Sequence, residues 1–216
     1  MSFNEIMSKY SNAPKQIKYI EVKKNTNQSH FFTRDLNKSN YDSINSPDYN
    51  NILKNGCVYI PNFICDKNDT VLFENLMKDI ELNAIIPRNK HYLIENPEFS
   101  NTFNEIVEKI ANHFNLKVLQ TRLNYYKDGN DFKTFHHDSH AYSDGIKEDF
   151  TAGISLGDSR QLAFKCVTTE KKFYFDQHNG DLFAFDHIVN QKFKHGVPKS
   201  KSKSPRISII VWGKRK

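Results

Sequence analysis

The sequence predicts an α+β protein, mainly β: a β-sandwich or jelly roll flanked by two N-terminal helices. Three features carry that expectation. From Val118 onward, short runs rich in β-branched and aromatic residues recur at near-regular spacing. The turn signals Asp128-Gly129, Gly157-Asp158 and Asn179-Gly180 punctuate them. Ahead of them lie two segments with apolar residues at helical spacing, and no helical pattern alternates with the strands afterwards, which argues against a doubly wound sheet.

Residues 1–50 are rich in Asn, Ser and Lys with scattered apolar positions, and read as a polar extension with a short strand over 17–22. Residues 51–216 are then the folded domain. It opens with a β-rich apolar segment, Gly56 to Ile64. Asp69 or Thr70 can cap a helix whose Leu72, Phe73, Leu76, Met77 and Ile80 share one face. A second helix over 102–114 gathers Phe103, Ile106, Val107, Ile110 and Phe114, and both faces are suited to core packing. Strands follow over 118–126, 150–156, 161–167, 172–175, 181–185, 193–197 and 206–212.

The chain has 216 residues and a net charge of +6, enough length to bury a core without a metal or disulfide staple. Its start lacks the apolar stretch of a secretory signal, and the longest apolar run, Ile209 to Trp212, is far short of a membrane span. Cys57, Cys65 and Cys166 form no close pair, which suits a reducing intracellular compartment, cytoplasmic or nuclear. Charge is unevenly placed: residues 187–216 hold nine Lys or Arg and no acid, leaving residues 1–186 at −3. This basic stretch can meet the phosphates of a nucleic acid, or its Lys199–Lys203 part can simply be a solvated hairpin loop. Oligomeric state has no signature in the sequence.

The densest cluster of metal-ligand side chains is His136-His137-Asp138-Ser139-His140. On an extended strand, His136 and Asp138 project to one face, so an imidazole and a carboxylate can take two corners of an octahedral metal. With nine histidines in the chain, a His-x-Asp pair would arise by chance roughly half the time, so it needs a partner. His195, opening a His-Gly-Val-Pro turn, supplies a third, neutral ligand. Eleven residues later Arg206 leads the apolar strand Arg206-Ile-Ser-Ile-Ile-Val-Trp212. A guanidinium aimed inward from such a strand needs an anion, which it grips bidentately, and Ser208 on the same face can add a hydroxyl. The anion is either a ligand carboxylate or a protein acid such as Asp181 or Asp186. His140 shares the metal-side face and is a candidate substrate or supporting residue. His137 faces away, His178 and His187 fall near turns at the surface, and Cys166 belongs to the core.

The order of these elements resembles the Fe(II)/2-oxoglutarate oxygenases of the double-stranded β-helix fold, and within them the AlkB-like group. Leu123-Asn-Tyr-Tyr-Lys-Asp-Gly-Asn-Asp131 is similar to that group's N-x-Y-x-x-G-x-D segment, Ser155-Leu-Gly-Asp-Ser-Arg160 to its S-L-G-x-x-R strand end, and Gly180-Asp-Leu to its G-D-L. The resemblance covers about residues 56–213. It implies that His136, Asp138 and His195 ligate Fe(II), that Asn124, Tyr126, Arg206 and Ser208 hold the co-substrate 2-oxoglutarate, and that O₂ is consumed. By the same resemblance Arg160 is a candidate substrate residue. Asn124 and Tyr126 alternate onto one strand face, as co-substrate contacts require; a core tyrosine and a turn-directed asparagine would look the same. The implied activity is oxidative demethylation of N-alkylated nucleic-acid bases, with Tyr92, Phe135 and Tyr142 as candidate stacking aromatics. Two positions depart from the group's pattern. Trp212 stands at its second arginine, and Ser139-His140 stand where an acid usually follows. Hydroxylation of a protein or small molecule by the same chemistry is therefore the competing expectation, and a non-catalytic jelly-roll binding module is the third.

Overall fold

The structure, a computed structural model, describes residues 56–83, 92–138 and 148–216. The expected strand over 17–22, the polar extension, His140 and Tyr142 lie outside the described residues, as does the side chain of Tyr92.

Strand β1 (Cys57–Ile60) is followed by helix α1 (Val71–Asn83), strand β2 (Tyr92–Glu95) and helix α2 (Asn101–Phe114). Then come β3 (Leu116–Tyr126), β4 (Lys133–His136), β5 (Phe150–Gly157), β6 (Arg160–Cys166), β7 (Lys172–Gln177), β8 (Leu182–Asp186), helix α3 (His187–Lys192), β9 (Phe193–Val197) and β10 (Arg206–Arg215). The strands form two antiparallel sheets. The larger has the order β1-β8-β5-β10-β3-β2 and the smaller β4-β9-β6-β7, which is the double-stranded β-helix expected.

Local chemistry sets the helix ends. Asp69 accepts from the Val71 N–H at 3.0 Å and Thr70 donates to Glu74 at 2.8 Å, starting α1. Ser100 caps α2 by accepting from Phe103 N–H, and Asn115, in the left-handed region at φ 52°, ends it and starts β3 two residues before the sequence suggests.

The large sheet is buried on both faces, and its period-2 alternation separates two jobs. Leu123 and Tyr125 of β3, Ile207, Ile209 and Val211 of β10, and Ala152 and Leu156 of β5 pack under α1 and α2 with Phe73, Leu76, Ile80, Phe103, Ile106 and Ile110. The alternate residues look between the sheets. There, a phenylalanine-rich core of Phe164, Phe173, Phe175, Phe183, Phe185 and Phe193 fills one part of the sandwich, with Cys57 and Cys166 buried in it, and a pocket occupies the rest.

The turn Asn179-Gly180 ties the large sheet to the segment after β1. Gly180 has φ +83°, donates to Ser155 O, and accepts from Ile64 N–H. A Cβ there would lie 2.1 Å from the Cys65 carbonyl oxygen. Gly180→Ala is expected to cost at least about 1–3 kcal/mol, the cost of a left-handed non-glycine residue before the clash is added. A lowered urea-unfolding midpoint with unchanged slope checks this.

Three elements are missing from the expected set, the first being strand β4, which carries His136. Strand β2 is a four-residue addition at the edge of the large sheet, paired to β3. Residues 187–192 form a helix rather than a surface turn, because Asp186 caps it through the Val189 N–H and Val189 anchors it in the core. Exposed His187 starts that helix.

Candidate active site

The pocket between the sheets is lined by Arg122, Asn124 and Tyr126 of β3, by Thr151 of β5, and by Arg206, Ser208 and Trp212 of β10. From the small sheet and its exit, Lys133, His136, Asp138, Gln177 and His195 face them.

His136 and His195 are a register pair between β4 and β9, and their ring centroids lie 4.5 Å apart. His195 thus sits within a strand, not at the start of a turn. Strand β4 ends at His136, and Asp138 reaches back from the segment beyond it. Its Oδ1 lies 3.4 Å from His195 Nε2 and 3.8 Å from His136 Nε2. One ligand atom from each of the three residues fits within a 4.8 Å span, and among the described residues no other group of three such side chains converges this way.

The donor set is prepared for a cation. His136 Nδ1–H donates to the Thr134 carbonyl at 2.9 Å, which leaves the Nε2 lone pair facing the pocket. Burial, and then the neighbouring His195, lower the His136 pKa to about 4, so its imidazole is neutral at physiological pH. Burial alone would raise the Asp138 carboxyl. The charge and hydrogen bonding of His195, with the Trp212 indole and His136, outweigh it and hold the group well below the usual carboxylate range. The neutral His136 imidazole, the ionised Asp138 carboxylate and the His195 imidazole on one face suit Fe(II) with positions left open.

A residue that sequence reasoning misses braces this arrangement. The Asn190 side chain on α3 accepts from Asp138 N–H at 2.9 Å and donates to Asp138 O at 3.1 Å. The Asn190 backbone carbonyl accepts from the His137 ring at 2.5 Å, so His137 turns away from the metal face and is held there. Thr151 donates to Asp138 Oδ2 at 3.1 Å. Loss of such outer-shell partners weakens metal binding by roughly 10–100-fold. Asn190→Ala is therefore expected to raise the Fe(II) dissociation constant within that range while leaving the three ligands in place. Titration of the purified variant under anaerobic conditions checks it.

Arg206 lies at the other end of the pocket. It is 3% exposed. Its Nε donates to Ser155 Oγ at 2.9 Å and its Nη2 to Gln177 Oε1 at 3.1 Å, while buried Nη1 has no hydrogen-bond partner. Burial lowers its pKa to about 10, with Tyr126 opposing, so it remains charged. Neither candidate protein acid serves it. Asp181 accepts from Tyr59 OH and from the Asn62 and His178 N–H groups, and Asp186 caps α3. No carboxylate among the described residues forms a salt bridge with Arg206.

The register of β3 against β10 pairs Arg206 with Tyr126 and Ser208 with Asn124. Asn124 Nδ2 donates to Ser208 Oγ at 3.2 Å, and the guanidinium lies 5.2 Å from the Tyr126 ring centroid. Burial pushes the Tyr126 phenol up, against opposing effects of Arg206 and Arg160, which keeps it a protonated donor. A cation, a phenol, a hydroxyl and an amide thus converge where a ligand carboxylate could enter, and the unsatisfied Nη1 is the position built to receive it.

Other expected residues stand apart. Arg160 does not line the pocket: it donates to the carbonyls of Asp128, Asp131 and Pro198 and packs over Tyr126 at 5.6 Å. Its contacts brace loops around the site, while its buried Nε has no hydrogen-bond partner. Phe135 is also absent from the lining, and Lys172 sits over its ring. The loop carrying Lys199, Lys201 and Lys203 is exposed and is pinned to Gly129 through Ser200 and Ser202. No helix among the described residues is long and apolar enough to cross a membrane.

Fold and site together define a double-stranded β-helix protein with a His-x-Asp…His donor set and a buried arginine in one pocket. The fold is shared by a Pseudomonas putida prolyl-4-hydroxylase, at 14% identity over 78% of this chain and 96% of that one, TM-score 0.54. It is shared by SnoK, a non-heme alpha ketoglutarate dependent carbocyclase from nogalamycin biosynthesis, at 13% identity over 77% and 81%, TM-score 0.58. OsALKBH1 matches at 14% identity over 73% and 97%, TM-score 0.50. In sequence, the chain is similar to an uncharacterized protein of Acanthamoeba polyphaga mimivirus, at 29% identity over 113 residues. That match spans 52% of this chain and 58% of the relative. No protein-family model matches the chain.

Proposed function

We propose that this protein is an Fe(II)- and 2-oxoglutarate-dependent oxygenase. One observation carries the reading: a buried arginine without an acid partner shares its pocket with a neutral His, an ionised Asp and a second His whose ligand atoms converge. An unpaired buried charge costs several kcal/mol, and the cost is offset once a dicarboxylate spans from Arg206 to the triad.

His136, Asp138 and His195 would hold the iron, Arg206 with Tyr126 and Ser208 the distal carboxylate, and Asn124 would fix Ser208. With iron and 2-oxoglutarate bound, O₂ drives decarboxylation to succinate and CO₂ coupled to oxidation of a substrate C–H bond. The chain's own contribution is positional. Gln177 and Ser155 aim the guanidinium, Thr134 sets the His136 tautomer, and Asn190 and Thr151 hold the carboxylate ligand against the imidazoles. The apolar wall of Phe183 and Phe185 limits water at the reacting atoms.

For the substrate we infer an N-alkylated nucleic-acid base. Support comes from the AlkB-like segments around Asn124, Ser155 and Gly180, and from OsALKBH1 among proteins of this fold. The competing reading, hydroxylation of a protein or small molecule, has its own support. Trp212 occupies the second-arginine position, and a prolyl hydroxylase and a carbocyclase share the fold. The two readings part on one measurement. Formaldehyde released from methylated oligonucleotides, at a rate matching succinate, supports demethylation. Succinate formed with a peptide or small acid but without formaldehyde supports hydroxylation.

A further inference from the structure

Beyond the triad and Arg206, the pocket carries two more cations. Arg122, from the inner face of β3, lies over the Trp212 indole with its guanidinium carbon 4.9 Å from the ring centroid. Trp212 in turn stands beside Asp138. Arg122 Nη2 bonds Glu95 at 2.6 Å on the solvent side, and its buried Nε has no hydrogen-bond partner. Lys133, from β4 of the opposite sheet, lines the same pocket and forms no salt bridge among the described residues. It is near enough to Arg122 to be affected by its charge: burial, and then Arg122, lower its pKa, with Asp138 opposing.

Charge balance shows what these cations lack. In the oxygenase reading, two positive charges on iron and one on Arg206 match the carboxylate of Asp138 and the two carboxylates of 2-oxoglutarate. The inner site is then neutral without Arg122 or Lys133. Glu95 neutralises one of the two, and one positive charge is left over beside the metal, in a partly desolvated place where like charges are costly.

We propose that Arg122 and Lys133 form an anion-binding subsite for the primary substrate, which therefore carries a carboxylate or phosphate near the C–H bond to be oxidised. The inference rests on the oxygenase reading. Arg122 supplies the Nε–H and a guanidinium stacked on Trp212, Lys133 supplies an ammonium from the facing sheet, and Glu95 tempers their charge.

Trp212 is the chain's single tryptophan, so its fluorescence reports on this pocket, and the Arg122 and Lys133 variants assign the change to the subsite. The protein is loaded with Zn(II) and 2-oxoglutarate, loading is verified by calorimetry, and acetate and methyl phosphate are titrated at constant ionic strength. Wild type is expected to show a saturable change with one or both probes. Arg122→Gln and Lys133→Gln should each weaken that binding about tenfold, as loss of one charge-assisted hydrogen bond does. Glu95→Gln should tighten it, a gain that damaged packing would not produce. All three variants should bind 2-oxoglutarate as wild type does. A loaded wild type that ignores both probes, or variants that leave probe affinity unchanged, would overturn the subsite while leaving the oxygenase reading intact. Variants that weaken 2-oxoglutarate instead would reassign the cations to the co-substrate, which also overturns it. Failure of wild type to take up metal and 2-oxoglutarate removes the oxygenase reading itself and this inference with it.

Discussion

Replacing Arg206 by methionine is expected to abolish 2-oxoglutarate binding and, in the same protein without ligand, to raise thermal stability. The two effects have one cause. In the free protein the guanidinium is fully buried, with Ser155, Gln177 and Tyr126 as neutral partners and no carboxylate, so its desolvation is only partly offset. Hydrophobic residues that replace buried charges are often neutral or stabilising by about 1–4 kcal/mol. With 2-oxoglutarate present the sign reverses. Breaking a buried ion pair costs about 3–5 kcal/mol, which corresponds to a dissociation constant raised by roughly 10²–10³-fold or more. Wild type should therefore gain about 2.7 kcal/mol of stability at a ligand concentration 100 times its dissociation constant, and Arg206→Met less than about 0.5 kcal/mol at that concentration. Calorimetry and melting curves with and without 2-oxoglutarate read both halves. A variant less stable than wild type in the absence of ligand would mean that Arg206 serves the fold through its bonds to Ser155 and Gln177.

The second large effect is expected at Asp138. Asp138→Ala removes the one anionic ligand of the triad, so iron affinity should fall by more than the roughly 10–100-fold expected of an outer-shell partner, and succinate formation should cease. Asp138→Asn separates charge from shape. It keeps a side chain able to meet Thr151, and leaves Asn190 bonded to the unchanged backbone of residue 138, yet lacks the charge. If charge is what matters, Asn fails nearly as badly as Ala. Anaerobic metal titration followed by single-turnover succinate measurement distinguishes loss of metal from loss of chemistry. Retained metal and full turnover in Asp138→Ala would remove the carboxylate from the ligand set.

Much of this site is legible in the sequence because it depends on period and order. Alternation put Asn124 and Tyr126 together on one face of β3 and Arg206 and Ser208 together on one face of β10, and antiparallel pairing then makes the four neighbours. The same alternation, carried two residues back from Asn124, reaches Arg122, so a signal for that residue was present. Strands 150–156 and 206–212 read as near-continuous apolar runs because helices cover one face of the large sheet while the pocket and the phenylalanine core cover the other. What could not be read depends on contacts between distant segments. Asn190 looks like an ordinary polar residue until α3 brings its amide to Asp138, and α3 itself is six residues with one buried apolar anchor, too short to show a helical period. Strand β2 shows the same limit, since four residues at a sheet edge draw their structure from β3. Arg160, placed at a strand end that resembles the AlkB-like pattern, gave no sign that its guanidinium is taken up by three backbone carbonyls.

The central claim is that one pocket binds iron through His136, Asp138 and His195 and binds 2-oxoglutarate through Arg206. Its most direct test is succinate formation by the purified chain supplied with Fe(II), 2-oxoglutarate and O₂, with methylated oligonucleotides and small anionic acids as substrates. The account predicts turnover that requires all three components and disappears in His195→Ala and in Arg206→Met. Succinate production that persists in either variant, or none from an iron-loaded wild type with any substrate, would contradict it.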